Sequence, residues 1–157
     1  MKKLFVTLLA LCVLLCGCVS PREVMKYRDG DCGFEIEATV GGAVYRCAVT
    51  LEKGGTAKLV FTAPEDVSGV SVYGESGVTY IGQSAPVPVK DGNSGCFARL
   101  LAVLSACPTD VKTTVRTELD GCSVYRCETD AGAVFVSESA GTPVFFIFDG
   151  GTARVVG

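Results

Sequence analysis

Histidine and tryptophan are both absent from this 157-residue chain. Without histidine there is no Ser-His-Asp or Cys-His catalytic arrangement, no imidazole metal ligand and no imidazole pH switch. Basic runs are also missing, and the net charge is −3, which argues against nucleic acid as a partner. Polar linkers and repeats at the spacing of solenoids or propellers are lacking too. What remains is a chain of single-domain length, 48% hydrophobic, with 19 glycines that imply many tight turns rather than long helices.

The first residues have the form of an export address. Lys2 and Lys3 precede an apolar stretch, Leu4 to Leu15, interrupted only by Thr7. About a dozen apolar residues are too few for a membrane span, which needs roughly 20, but they suit the core of a signal peptide. Leu15-Cys16-Gly17-Cys18 follows, and it resembles the lipobox of bacterial lipoproteins. That resemblance implies that residues 1–17 are removed, that Cys18 carries the lipid, and that residues 18–157 form one extracytoplasmic domain held to the cell membrane. Losing two lysines and no acid leaves the body more acidic still. It would gain nothing from anionic headgroups, so attachment rests on acyl chains.

Six cysteines lie beyond Cys18: Cys32, Cys47, Cys96, Cys107, Cys122 and Cys127. An even number in an exported domain invites disulfides. Spacing argues for mostly free, buried thiols instead. Cys122 and Cys127 are an odd number of residues apart, so one strand would put them on opposite faces. On one helix Cys96 and Cys107 would be separated by roughly 16 Å. There is no CxxC, so a cysteine-only metal site is not expected.

From Phe34 the apolar period is two. Phe34, Ile36, Ala38 and Val40 alternate with Glu35, Glu37 and Thr39, and Gly41-Gly42 makes a hairpin turn. Pairing about that turn sets Val40 against Ala43, Ala38 against Tyr45, Ile36 against Cys47, and Cys32 against Leu51. A turn at Gly54-Gly55 returns the chain through Leu59 and Phe61, and a second hairpin joins Val70–Tyr73 to Val78–Ile81. The stretch 83–95, with Pro86 and Pro88, reads as a loop. A helix over 94–106 follows, with Phe97, Leu100, Leu101 and Leu104 on one stripe. Strands at 111–119, 122–129, 133–139, 144–148 and 152–156 complete the chain. Ser20-Pro21-Arg22-Glu23 has the form of a capping box, which starts a short helix from Pro21 to about Arg28. The fold class is therefore mainly β: a one-sided antiparallel sheet with a short N-terminal helix and one apolar helix to cover it.

This order, a helix between two groups of antiparallel strands, resembles the half-barrel of the lipoprotein-carrier family (LolA-like) and its lipoprotein relatives. The residues that carry the resemblance are the opening helix, the meander Phe34–Phe61, the phrase from Phe61 through Pro64 and Glu65 to Val70, the helix 94–106, and the closing run Gly141 to Ile147. Some clostridial spore-germination lipoproteins share this fold. The resemblance implies a curved sheet with the helix in its concave face and an apolar concavity for a lipid or acyl chain.

Chemistry-bearing residues are few. Cys96 stands near a helix start, where the dipole favours a thiolate, but no histidine is present to act as its base. Glu35, Glu37, Glu65, Asp66, Asp29 and Asp31 read as solvated surface or turn residues, and Tyr45, Tyr73, Tyr80 and Tyr125 as cross-strand packing. The expectation is thus a non-enzymatic lipoprotein without metal or cofactor. Its candidate ligand-binding residues are Phe34, Ile36, Val49, Leu51, Phe61, Phe97, Leu100, Leu101 and Leu104, lining an elongated apolar pocket between helix and sheet. The alternative is a tethered scaffold or partner for another envelope protein, with the concave face filled by its own helix and an exposed strand as the recognition edge.

Overall fold

A computed structural model describes residues 19–75, 78–85, 87–89 and 95–156. The signal-like segment, Cys18, Pro86 and Ser94 lie outside the described residues.

The chain builds one 11-stranded antiparallel sheet. Six strands run outward as a meander: β1 Cys32–Val40, β2 Ala43–Leu51, β3 Ala57–Ala63, β4 Ser71–Glu75, β5 Val78–Gly82 and β6 Val87–Val89. A helix then carries the chain to the opposite edge. From there β7 Thr113–Leu119, β8 Cys122–Glu128, β9 Gly132–Ser137, β10 Pro143–Phe148 and β11 Gly151–Val156 run back inward until β11 pairs with β1. The two edges are therefore β6 and β7.

The hairpin register expected about Gly41-Gly42 is the one found: Val40 pairs with Ala43, Ile36 with Cys47 and Cys32 with Leu51. Both turn glycines have positive φ, 57° and 85°, the conformation a two-residue hairpin of this twist demands. The stretch 83–95 departs from its expected loop, because Val87–Val89 pairs with β5 as β6. Proline removes a ladder donor, so within sheets it is confined to edge strands, first residues and bulges; Pro88 sits in the edge strand β6.

At the N-terminus, α1 covers only Pro21–Val24, and a 3-10 turn covers Lys26–Asp29, so the helix expected to reach Arg28 is shorter. Met25 leaves helical geometry and is fully buried, which redirects the chain. The Ser20 N–H donates to Glu23 Oε2 at 3.4 Å, a long version of the expected box.

The crossover helix α2, Gly95–Ser105, touches β3 and β4 on one side and β9 and β10 on the other. In a flat sheet β4 and β9 would stand about 29 Å apart, six strand spacings. A helix about 10–12 Å across and roughly 16 Å long meets both only if the sheet curls around it. The concave face is apolar and buried, with Ile36, Leu51, Leu59, Leu100 and Phe146 at or near zero exposure. The other face is charged over β1 and β2, where Glu37 and Arg46 face each other and pair at 3.4 Å.

A second small apolar cluster, Val124, Ala133 and Phe135 with Leu119, Val144 and Phe145, lies on the convex side of the C-terminal strands. The Arg126 and Arg154 guanidinium groups lie over the Phe135 and Phe145 rings, 5.7 and 5.6 Å from their centres. The sheet is thus one-sided in its first half and apolar on parts of both faces in its second.

Candidate functional site

The nine sequence-derived candidates converge between helix and sheet, as their stripe and alternation require. Ile36, Val49, Leu51, Phe61, Leu100, Leu101 and Leu104 are buried, none above 5% exposed. Phe34 and Phe97 are half-buried at the margins of the same core. Phe97 meets Tyr45 and Phe61 edge-on, with the three ring centres 5.2–5.6 Å apart. Edge-to-face contacts of this kind set the positive edge of one ring against the negative face of the next. These rings join the first turn of α2 to β2 and β3.

A cleft of about 220 Å³ is lined by Tyr27, Cys32, Gly33, Phe34, Thr142, Pro143 and Val155. It gathers the first residues of β1, the start of β10 and the end of β11, beside the turn that follows α1. Phe34 is the member of the candidate set that borders it, and its ring stacks on Phe146 at 6.2 Å. The cleft therefore opens beside the apolar core, at the end of the half-barrel where the N-terminal segment joins it. Tyr27 contributes a phenol whose pKa burial pushes well above the usual tyrosine range.

A larger, more polar cleft of about 490 Å³ lies past the end of α2, among Ala102, Ser105, Asp110, Lys112, Thr129 and Asp130. Lys112 and Asp130 form an ion pair at its wall. At the far edge of the sheet, Arg116 donates to Glu138 Oε2 at 3.0 and 2.7 Å, and the Tyr125 hydroxyl donates to Glu138 Oε1 at 3.1 Å. The Arg116 hydrogen bonds hold the Glu138 carboxyl below its usual range. Arg116 and Glu138 are exposed and Tyr125 is half-buried against the core, and together they tie β7, β8 and the end of β9 at the surface.

The six cysteines beyond Cys18 are free thiols. Cys122 is exposed and Cys127 buried, the opposite faces that their odd spacing demands. Cys47 is fully buried, and burial pushes its thiol up to about 12. Burial raises Cys32 and Cys127 as well. Asp31 accepts the Lys53 N–H at 2.7 Å, a turn role as expected. Among the described residues no group of acids and cysteines is arranged to hold a metal, and no helix is long and apolar enough to cross a membrane.

Arg28 went unseen in the sequence. It is only 6% exposed, and its Nη2 donates to the Ser105 carbonyl at 3.2 Å. Its Nε and Nη1 have no hydrogen-bond partner among the described residues. An arginine in a short polar turn carries no periodic signal, so only the tertiary packing reveals it.

No family model matches the chain, and no curated protein matches it in sequence. Solved structures do match in shape. A conserved protein from Thermus thermophilus, of uncharacterised function, superposes with a TM-score of 0.53 at 8% identity, over 87% of this chain and 82% of that one. A domain provisionally assigned to outer-membrane lipoprotein sorting in Vibrio parahaemolyticus gives 0.47 at 13% identity, over 87% of this chain and 73% of that one. A LolA superfamily protein from Nitrosomonas europaea gives 0.41 at 13% identity, over 88% and 75%. Likeness at such identities concerns the fold alone. The curled antiparallel sheet around one helix, expected from the resemblance to lipoprotein carriers, is the fold of this chain.

Proposed function

We propose that the protein is an extracytoplasmic lipoprotein, anchored through Cys18, that binds a lipid or acyl chain and catalyses no reaction. The observation that carries this reading is the cleft beside Phe34, at the end of the half-barrel nearest the anchored N-terminus. Val19 packs against the core, so the chain leaves no long tether between Cys18 and the domain. An acyl chain in this cleft would lie against Tyr27, Phe34, Pro143 and Val155, with no charged residue in the lining. Its methylenes would gain about 0.8 kcal/mol each on burial there.

Native mass spectrometry of the protein released in mild detergent tests this directly, through co-purifying lipid. A fluorescent fatty acid gives the second readout. Thr142→Trp should occupy the cleft and abolish probe binding while leaving the melting temperature within a few degrees. Absence of both co-purified lipid and probe binding in the wild type would remove the reading. The tethered-scaffold alternative would then stand, and the burial of the α2 stripe against the sheet is the observation that favours it.

A further inference from the structure

The two sheet edges differ in how well they resist another strand. β6 is three residues long and contains Pro88, so it offers little to pair with. β7 is seven residues long, has no proline and no lysine, and runs against β8 without a register shift. Its residues Val115 to Glu118 are all exposed. An edge of this kind is a template for pairing.

The side chains of β7 also narrow the choice of partner. Thr114, Arg116 and Glu118 share a face with Cys127, Tyr125 and Ser123 of β8, while Val115, Thr117 and Leu119 share the opposite face. In a two-fold antiparallel pairing of two β7 strands, side chains stay on their own face only if a residue sits on the axis. With Arg116 or Glu118 on the axis, like charges oppose each other. With Thr117 there, Arg116 of each copy opposes Glu118 of the other, and Val115 opposes Leu119, twice over. Glu118 has no ion-pair partner among the described residues. Val115 is 55% exposed, and Leu119 already belongs to the convex apolar cluster with Val124 and Phe135. Charge, apolar match and continuity with an existing cluster therefore select the same register.

We propose that β7 is a self-association edge: two copies pair antiparallel about Thr117, joining their sheets into one continuous sheet. This inference stands apart from the lipid reading, since no residue of the Phe34 cleft takes part.

Cross-linking of the full chain in the cells that express it tests it. Thr117→Cys should give a thiol-dependent dimer, because the two residues lie about 5 Å apart across such a pair. Thr50→Cys, on the convex surface in mid-sheet, should not exceed the wild-type background set by Cys122. Adding Glu118→Arg to Thr117→Cys should lower the dimer yield at least tenfold, since two arginines then oppose each other. Co-expressing Glu118→Arg with Arg116→Glu, both in the Thr117→Cys background, should restore it between the unlike chains. No dimer above background in the Thr117→Cys variant, or a yield indifferent to Glu118→Arg, overturns the proposal. So does a Thr117→Cys variant whose new thiol is captured only by a different protein. Should Arg116→Glu fail to accumulate, the Thr117→Cys and Glu118→Arg measurements still decide the matter.

Discussion

The Arg28 guanidinium donates to the carbonyl oxygen of Ser105, joining the N-terminal turn to the last residue of the helix that crosses the sheet. The final carbonyls of a helix lack intrahelical donors and carry its negative dipole end, so a cation is well placed there. The cost is a buried charge with two N–H-bearing nitrogens that have no partner among the described residues.

That balance predicts the effect of substitution. Arg28→Met keeps the stem in place and removes the desolvated charge, so its stability should fall within about 1 kcal/mol of the wild type. Arg28→Ala also empties the site and should cost about 2–3 kcal/mol. Chemical denaturation of the two variants compares them. A methionine variant weaker than the alanine one would mean that the charge itself, through the Ser105 bond, holds the helix end.

Leu101 is buried at 5% exposure, on the side of α2 turned to the sheet. Leu101→Trp should therefore overpack the core there and cost about 1–3 kcal/mol, seen as a lower melting temperature. An unchanged melting temperature together with lost fatty-acid binding would instead reveal usable space between helix and sheet.

Alkaline pH should destabilise the fold. The Cys47 thiol, ordinarily near 9, is pushed up to about 12 by burial. The unfolded chain then loses its proton first, so the stability from keeping this thiol neutral is complete below pH 9 and is lost as pH rises towards 12. Three units correspond to about 4 kcal/mol at the upper end. Melting temperatures should fall steeply above pH 9 in the wild type and less steeply in Cys47→Ala. Parallel curves for the two proteins would refute this account.

The proposed anchoring rests on Cys18. Cys18→Ala should block lipid attachment, leaving unprocessed precursor or releasing the chain from the membrane fraction. Unchanged partitioning and unchanged precursor size in a membrane fractionation would remove the lipoprotein reading.

Much of this architecture is local in origin, and so legible in the residues. Alternation from Phe34 to Val40 sets the inner face of β1, Gly41-Gly42 sets the hairpin register, and the stripe Phe97, Leu100, Leu101 and Leu104 sets the buried side of α2. Each of these depends on neighbours within a few residues, through the periods of strand and helix. The odd spacing of Cys122 and Cys127 likewise separates them onto two faces without any tertiary information. Other features depend on contacts between distant segments. That β11 returns to pair with β1, that Val87–Val89 joins the edge despite Pro88, and that Arg28 reaches Ser105 all follow from long-range closure. Whether the apolar face encloses space or is filled is likewise a matter of volume. Hydrophobic periodicity says which side chains turn inward, but only the packing of distant segments against one another places a cleft beside Phe34.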